Sequence, residues 1–371
     1  MRVLNVFNEL VASGAEMMWC AASPCWREAG VTVDILATGA SPGPFAPSLA
    51  ACGYTLHHLA FSRTPLFFWR FYRLLRRHRY RLVHVHCERA SFYYLLVARL
   101  AGARVIRSVH AHFPFSGSLG FRRRWQRRIG RWLGAVFVSV SPSVGATERE
   151  FFGNPTQVIS NWYDSLSLRP PTAGERLSAR DALSLPRDGV VIVSVGNCAA
   201  VKNHENLLRA LARVGDCGDW IYLHAGREEA GQPERRLVGD LGLEGRVRFL
   251  GMVGEVRQVL WAADLFVMPS LREGFGVAAV EALATGLPAL LTEVPGLNGF
   301  REIEGIVWSG SSVVELETSL RRALSLCGGV GEEERRGRHL AVRHRFGMEA
   351  RVADYVRLYR GLSPVIGEGS R

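Results

Sequence analysis

Hydrophobic and polar positions along the chain alternate between two patterns. Short runs of β-branched and other apolar residues, typical of buried parallel strands, are followed by longer segments in which apolar residues recur every three or four positions, as in amphipathic helices. This alternation indicates βαβ units built around a parallel sheet. The predicted strands are residues 2–7, 31–38, 82–86, 104–109, 135–140, 190–195, 221–225, 247–250, 265–268 and 289–291.

The alternation runs through the chain twice, which indicates two domains. A length of 371 residues also exceeds what one hydrophobic core usually serves. We expect an α/β protein with a basic Rossmann-like domain over 1–165, a second one over 166–348, and a last helix within 349–371 that returns to the first domain. The proline-rich stretch Arg169–Gly174 is interpreted as the linker. Two doubly wound domains would face each other across a cleft, with ligands at the carboxyl ends of the strands.

Cysteine usage and hydropathy favour a cytoplasmic protein. The seven cysteines are scattered, odd in number and free of any C-x-x-C pair, which predicts reduced thiols rather than a disulfide framework or a zinc site. No segment approaches the roughly 18–20 apolar residues that a spanning helix needs. The N-terminal segment reads as a buried strand and not as a signal peptide.

Positive charge is concentrated in the first half of the chain. Residues 1–164 contain 20 arginines and eight acidic residues, a net charge of +12, whereas the remainder is balanced. Two arginine-rich segments, 70–81 and 122–131, dominate this excess, and Trp125 and Trp132 interleave with the second. The pattern predicts an anionic membrane surface on the cytoplasmic side. A solvated arginine face remains the alternative, and nucleic acid is disfavoured because no reader motif is present.

The segment Ser270–Ala282 carries the most informative chemistry. A strand enters a glycine-containing turn that opens a helix, so the first N–H groups of the helix and its dipole would favour an anion. Glutamates stand before the turn and eight residues later on the helix, where they could hold hydroxyls on either side of a diphosphate. The residues predicted to act here are Glu273, Gly274, Phe275, Gly276, Val277 and Glu281.

Lys202 is the only lysine among 46 basic residues. It lies at the junction between the strand 190–195 and the helix that follows, close to where the glycine-containing turn is expected. A helix start repels cations, so a neighbouring anion is the simpler reason for a lysine there. We therefore predict that Lys202 neutralises a diphosphate leaving group.

These segments together resemble the family 4 retaining glycosyltransferases of GT-B fold. The likeness covers nearly the whole chain and depends on the order and spacing of several motifs. In the second half these are 202–204 (KNH), 241–243 with 246–251, 262–270 (AADLFVMPS) and the glutamate pair of 273–281. In the first half they are 13–16 (SGAE), 83–86 (VHVH), 108–110 (SVH) and 158–164 (VISNWYD).

The resemblance implies a role for each matching residue. Glu273, His110 and Lys202 would be catalytic, with Glu273 at the hydroxyls of the donor sugar, His110 beside that sugar and Lys202 at the diphosphate. Glu281 would bind the ribose. The remaining donor-binding positions would be Gly14, Asn197, Gly251 and the helix-start amides of residues 274–277, whereas His84, His86 and His112 are expected to be structural.

The sequence departs from the family pattern at three places. Asn197 stands where the family usually has a second cationic residue, Ser13-Gly14 replaces a glycine pair, and two aromatic residues, Trp162 and Tyr163, occupy the usual Asn-Gly-(Ile/Val)-Asp turn. The implied activity is transfer of a sugar from a nucleotide diphosphate to a hydroxyl acceptor, such as a glycan or a lipid-linked sugar. No metal or cofactor is expected, since no Asp-x-Asp motif follows a strand.

Three other functions remain open at this point. A GT-B-fold epimerase would act on the nucleotide sugar without an acceptor. A non-catalytic subunit would bind the nucleotide sugar without transferring it, as the substitution at Asn197 would allow. Nucleic-acid binding rests on charge alone.

Overall fold

The computed structural model describes residues 1–113, 115–327 and 331–362, which form two compact units. The first unit contains Met1–Trp162 together with the described chain from Met348 onward, and the second contains Tyr163–Gly347. The boundaries predicted from the sequence lie after residues 165 and 348.

The first unit is a parallel sheet covered by helices. Its strands are β1 (Arg2–Phe7), β2 (Thr32–Ala37), β3 (Thr55–His58), β4 (Leu82–Val85), β5 (Arg104–Val109), β6 (Val136–Ser139) and β7 (Gln157–Val158). Its helices are α1 (Gly14–Ala21), α2 (Ser23–Glu28), α3 (Ala46–Ala51), α4 (Pro65–Arg77), α5 (Ser91–Leu100), α6 (Gly117–Trp132), α7 (Pro142–Phe152) and the last helix, α15 (Met348–Leu362). The strand order is β3-β2-β1-β4-β5-β6-β7, so the chain reverses direction across the sheet between β1 and β4. The predicted parallel sheet is confirmed.

Apolar clusters cover both faces of this sheet. On one face α4 and α5 pack through Phe67, Phe71 and Tyr94. On the other face α15 completes an aromatic cluster in which Tyr359 stacks on Trp26. Burial of such large side chains is the main stabilisation of the unit.

Cys20 and Cys52 form a disulfide, so the prediction that all thiols are reduced is wrong for this pair. The helices α1 and α3 pack against each other and bring the two Cα atoms to 5.8 Å, within the range that a disulfide requires. The two cysteines are 32 positions apart in sequence, and their spacing contains no signal of this contact. Cys87, Cys198, Cys217 and Cys327 belong to no disulfide among the described residues.

The second unit repeats the architecture with one strand fewer. Its strands are β8 (Val190–Val195), β9 (Trp220–Ala225), β10 (Val247–Gly251), β11 (Leu265–Met268), β12 (Ala289–Thr292) and β13 (Ile306–Ser309). Its helices are α8 (Ala173–Ala182), α9 (His204–Arg213), α10 (Pro233–Asp240), α11 (Val256–Ala262), α12 (Val277–Ala284), α13 (Val313–Cys327) and α14 (Glu332–Phe346). The order β10-β9-β8-β11-β12-β13 places the reversal between β8 and β11. Ligands of doubly wound sheets bind at such a reversal.

The stretch interpreted as a linker belongs to the second unit, so that interpretation is wrong. Thr172 caps α8, and its hydroxyl and the carboxylate of Glu175 form a reciprocal capping box. The helix is anchored to the sheet by Arg176 and Arg180, which both pair with Asp264 at 2.5 Å. The proline residues therefore precede a helix rather than separate two domains.

Candidate functional site

Lys202 and Glu273 meet at the point where the second sheet reverses. Lys202 ends a 3-10 turn after β8, and Glu273 lies in the loop after β11. The ammonium Nζ is 2.7 Å from Glu273 Oε1, although the two residues are 71 positions apart. Both side chains are mostly buried, with 28% and 11% of their surface exposed. The structure thus brings together two of the residues that the sequence predicted to be catalytic.

The loop that carries Lys202 is tied to the loop that carries Glu273. Asn203 adopts a left-handed backbone conformation with φ of 59°, and its side-chain amide donates hydrogen bonds to the carbonyls of Pro269 and Ser311. The Leu271 N–H donates to the carbonyl of Val201 at 2.8 Å. These bonds hold the Lys202 loop against the end of β11, so that the position of the ammonium group does not depend on its ion pair alone.

The turn around Glu273 is packed from two sides. The Ser270 hydroxyl donates to the same carboxylate oxygen that Lys202 contacts, at 2.7 Å. On the other side the 3-10 helix Pro295–Phe300 passes so close that a Cβ on Gly296 would lie 1.9 Å from the Glu273 carbonyl oxygen. Only glycine fits at that position, which was not among the predicted site residues. Its signal in the sequence is a proline followed directly by a glycine, which also occurs at residues 42–43.

The start of α12 supplies backbone N–H groups beside this ion pair. Gly276 caps the helix with φ of 86°, a conformation that favours glycine, and its position also leaves no room for a Cβ next to Leu297. The buried ring of Phe275 anchors the turn against Phe300 and Phe346. The first turn of α12 contributes N–H groups that have no acceptor within the helix, and with the helix dipole they favour an anion.

Glu281 lies within α12 with an unusual protonation equilibrium. Burial, and to a lesser extent the negative charge of Asp164, raise its pKa from an ordinary value of 4.5 to about 7. Asp164 itself is held in place because its carboxylate accepts the N–H groups of Leu166 and Ser167. Asp164 is the last residue of the motif at 158–164, but its proximity to Glu281 was not predicted.

Asn197 and Gly251 help to shape the loops around the reversal. The Asn197 side-chain oxygen accepts the N–H of Arg227 at 3.0 Å, which joins the loop after β8 to the loop after β9. The Gly251 carbonyl accepts the N–H of Gly226 at 2.8 Å, and Gly251 itself has φ of 64°. The amide of Asn197 thus braces a loop and brings no positive charge where the family usually has one.

Gly14 and His110, the other predicted site residues, lie in the first unit. Gly14 begins α1, where the Ser13 hydroxyl accepts the N–H of Ala15. His110 follows β5, and its Nε2 is 3.0 Å from Nδ1 of His86. Burial, and to a lesser extent the charge of Arg107, lower the pKa of His110 to about 4, so the imidazole is neutral at physiological pH.

The other histidines of this region hold elements together. His84 is fully buried and contacts the hydroxyls of Tyr359 and Ser108, which links α15 to the sheet. His112 contacts the hydroxyls of Thr147 and Ser143. Both patterns are those of structural residues, whereas His86 lies directly against His110.

Among the described residues, no three His, Cys, Asp or Glu side chains lie close enough together to hold a metal ion. Metal independence stays a prediction. In the same residues, no helix is both long and apolar enough to cross a bilayer.

Two family models match the chain, one for each half. Residues 12–165 match the model described as Glycosyltransferase Family 4, and residues 175–317 match the model described as Glycosyl transferases group 1. Together the two matches account for most of the chain.

Curated relatives with a stated activity match parts of the chain. A UDP-Gal:α-D-GlcNAc-diphosphoundecaprenol α-1,3-galactosyltransferase of Escherichia coli is 26% identical over 242 residues, which are 61% of this chain and 61% of that protein. A D-inositol 3-phosphate glycosyltransferase of Mycobacterium tuberculosis is 36% identical over 164 residues, or 42% of this chain and 34% of that protein. The chain thus spans less than two thirds of the length of either relative.

Solved structures match over nearly the whole chain. A glycosyltransferase of Rickettsia africae superposes with a TM-score of 0.83 at 17% identity, covering 97% of this chain and 98% of that one. Anabaena HepE in complex with UDP superposes with a TM-score of 0.80 at 18% identity, covering 97% and 100%. Likeness at this identity establishes the fold.

Proposed function

Because this chain belongs to the family 4 glycosyltransferases of GT-B fold, we propose that it transfers a sugar from a nucleotide diphosphate to a hydroxyl acceptor with retention of configuration. The observation that carries this proposal is the Lys202–Glu273 pair beside the start of α12 at the sheet reversal. A diphosphate there would meet an ammonium group and helix-terminal N–H groups, while a neighbouring carboxylate could accept sugar hydroxyls.

The proposed reaction needs no group beyond those of the donor, the acceptor and this chain. The bond between the anomeric carbon and the diphosphate oxygen breaks, and the acceptor oxygen bonds to that carbon on the same face. The acceptor proton passes to the departing diphosphate, which leaves as the nucleoside diphosphate. Lys202 and the amides of α12 would stabilise the charge that develops on the leaving oxygen.

The relatives support the donor and acceptor classes. The E. coli relative is described as using a UDP-sugar and a diphosphoundecaprenol-linked sugar, and HepE binds UDP and UDP-glucose. For this chain we propose a nucleotide-diphosphate sugar as donor and a glycan or lipid-linked sugar as acceptor, in the synthesis of a cell-envelope polysaccharide, lipopolysaccharide or glycolipid. We further propose that the reaction requires no metal ion.

A panel of nucleotide sugars tests the donor first. The correct donor at 100 times its dissociation constant adds about 2.7 kcal/mol of stability, which raises the melting temperature of a unit of this size by about 5–10 °C. The selected donor is then incubated with membrane lipid extract in EDTA, and the anomeric configuration of the product is read by NMR.

Lys202→Ala and Lys202→Arg provide the matched test of the site. We expect the alanine variant to lose at least ~100-fold in turnover, by comparison with removal of one oxyanion donor. The arginine variant retains charge and should recover part of the rate. Full activity in Lys202→Ala would contradict the proposed role of the lysine. Binding without transfer by the unmodified chain would favour a non-catalytic subunit, and sugar conversion without an acceptor would favour an epimerase.

We also propose that the first unit rests on an anionic membrane at the cytoplasmic face. The helix α5 packs against both α4 and α6, and the exposed sides of α4 and α6 carry arginines among apolar residues. Trp69 is 53% exposed and Trp132 is 83% exposed. Arg73 lies over the Trp69 ring, as in an amphipathic surface that places aromatic rings at the headgroup level.

Not all of the arginines counted in the sequence belong to this surface. Arg127 is 1% exposed and makes two hydrogen bonds of 2.7 Å to Glu148, so it anchors α6 to α7. The vesicle test therefore uses exposed positions only, with Arg122, Arg128 and Arg131 replaced by glutamine. We expect flotation with phosphatidylglycerol vesicles, little with phosphatidylcholine, and a loss of flotation in the triple variant. Equal flotation with both vesicles would overturn this part of the proposal.

A further inference from the structure

Three polar side chains form a row at the ends of neighbouring strands of the first sheet. Asn5 lies on β1, His86 follows β4 and His110 follows β5, and these strands are adjacent in the sheet. His86 Nε2 is 2.8 Å from Asn5 Oδ1, and His86 Nδ1 is 3.0 Å from His110 Nε2. His86 therefore connects a fully buried amide to His110, the histidine of the first unit that was predicted to be catalytic.

The amide oxygen of Asn5 determines which atoms of this row donate hydrogen bonds and which accept them. An amide oxygen can only accept, so His86 Nε2 must carry the proton that is donated to Asn5. A neutral imidazole has one N–H, which leaves Nδ1 of His86 as an acceptor. The partner of that acceptor is His110 Nε2, which must then be the protonated nitrogen of His110.

The surroundings keep both rings neutral and fixed. Burial lowers the pKa of His86 well below its usual range, and the neighbouring His84 and His110 add to the effect. The ring of His86 stacks on Phe7 at 4.4 Å and meets Trp19 edge-on at 5.2 Å. Rotation of the ring that would exchange its two nitrogens is thus opposed by packing on two sides.

We propose that Asn5 and His86 are positioning residues that hold His110 in the tautomer with Nε2 protonated and Nδ1 free to accept. Within the part of the chain that the structure describes, His110 Nδ1 makes no hydrogen bond, and the residue is only partly buried. Nδ1 of His110 can then accept a hydrogen bond from a hydroxyl group of a ligand but cannot donate one to it. That His110 Nδ1 accepts a hydrogen bond from a hydroxyl of the transferred sugar rests on the proposed function.

The hydrogen-bond partners of His84, in contrast, do not fix its tautomer. Its two nitrogens face the hydroxyls of Tyr359 and Ser108 at 2.7 and 2.8 Å. Hydroxyl groups donate or accept, so either tautomer of His84 is satisfied. The histidine is buried on the same strand segment as His86, and it provides the matched control.

The tautomer is read from long-range proton–nitrogen NMR spectra of the full chain labelled with ¹⁵N-histidine, with His110→Phe to identify the signals. We expect a protonated Nε2 and an unprotonated Nδ1 at His110, without substrate present. Asn5→Leu and His86→Phe should produce a mixture, whereas His84→Phe should leave the His110 signals unchanged.

Kinetics with the selected donor supply the second reading. Asn5→Leu and His86→Phe should lower kcat by about 10-fold, which is the worth of one oriented hydrogen bond, with little change in KM. A protonated Nδ1 at His110, or a His110 tautomer that is the same in all variants, would overturn the inference. Because the spectra need no substrate, an absence of sugar transfer would refute the proposed function alone.

Discussion

Replacement of Glu281 by glutamine tests whether the buried carboxylate lowers the stability of the folded protein. The pKa of Glu281 is raised from 4.5 to about 7, chiefly by burial. The folded protein therefore keeps this proton up to about pH 7, whereas the unfolded chain loses it near pH 4.5. As the pH rises through this interval the unfolded state releases its proton first, so the carboxylate increasingly destabilises the fold.

The size of the effect follows from the shift. Each unit of pKa difference corresponds to about 1.36 kcal/mol, so the cost grows from about 1.4 kcal/mol at pH 5.5 to about 3 kcal/mol near pH 7.5. Glutamine has nearly the same shape and no charge. Glu281→Gln should therefore unfold at the same temperature as the natural protein near pH 4, and about 6–10 °C higher at pH 7.5.

The assay measures the melting temperature of the full chain at a series of pH values from pH 4 to pH 8. Glu244→Gln serves as the control, since Glu244 is exposed in the same unit, and its melting temperature should track the natural protein at every pH. In an Asp164→Asn background the gain from Glu281→Gln should shrink, because Asp164 contributes to the shift. A gain that does not change with pH, or a loss of stability at pH 7.5, would refute the reasoning.

Two further pairs of substitutions test packing around the proposed site and in α6. Gly296→Ala would place a Cβ 1.9 Å from the Glu273 carbonyl oxygen and should lower the free energy of unfolding by about 1–3 kcal/mol. In the control, Gly299→Ala in the same turn, the added Cβ meets nothing closer than 3.9 Å, so the free energy of unfolding should change by less than about 0.5 kcal/mol. Equal melting temperatures for the two variants would contradict this prediction. Arg127→Met leaves a buried carboxylate unpaired and should cost about 3–5 kcal/mol, while the exposed Arg128→Met should cost little, and denaturant unfolding compares the two.

Local signals were sufficient for the elements that follow a strict period. The strand and helix alternation predicted two parallel doubly wound sheets, because parallel strands are buried on both faces and must be joined by helices. The structure and the comparisons confirm this fold and the family. The resemblance also singled out Lys202 and Glu273, which the structure places 2.7 Å apart.

Elements with weaker signals were missed. The strand Ile306–Ser309 is only four residues long, and α14 is charged over much of its length, so neither shows a clear apolar period. The helix α8 follows proline residues that were interpreted as a linker, although Thr172 and Glu175 formed a recognisable capping box. Here the sequence contained the information, and the competing proline signal obscured it.

The sequence by itself determined the fold class, the family and the residue types at the proposed site, since these depend on periodicity and on the order of motifs along the chain. Only the tertiary structure decided which of those residues meet. It paired Cys20 with Cys52, placed the buried Arg127 against the carboxylate of Glu148, and placed His86 between Asn5 and His110. The physical reason is that adjacent strands and packed helices bring together side chains many positions apart, and such distances leave no trace in local periodicity.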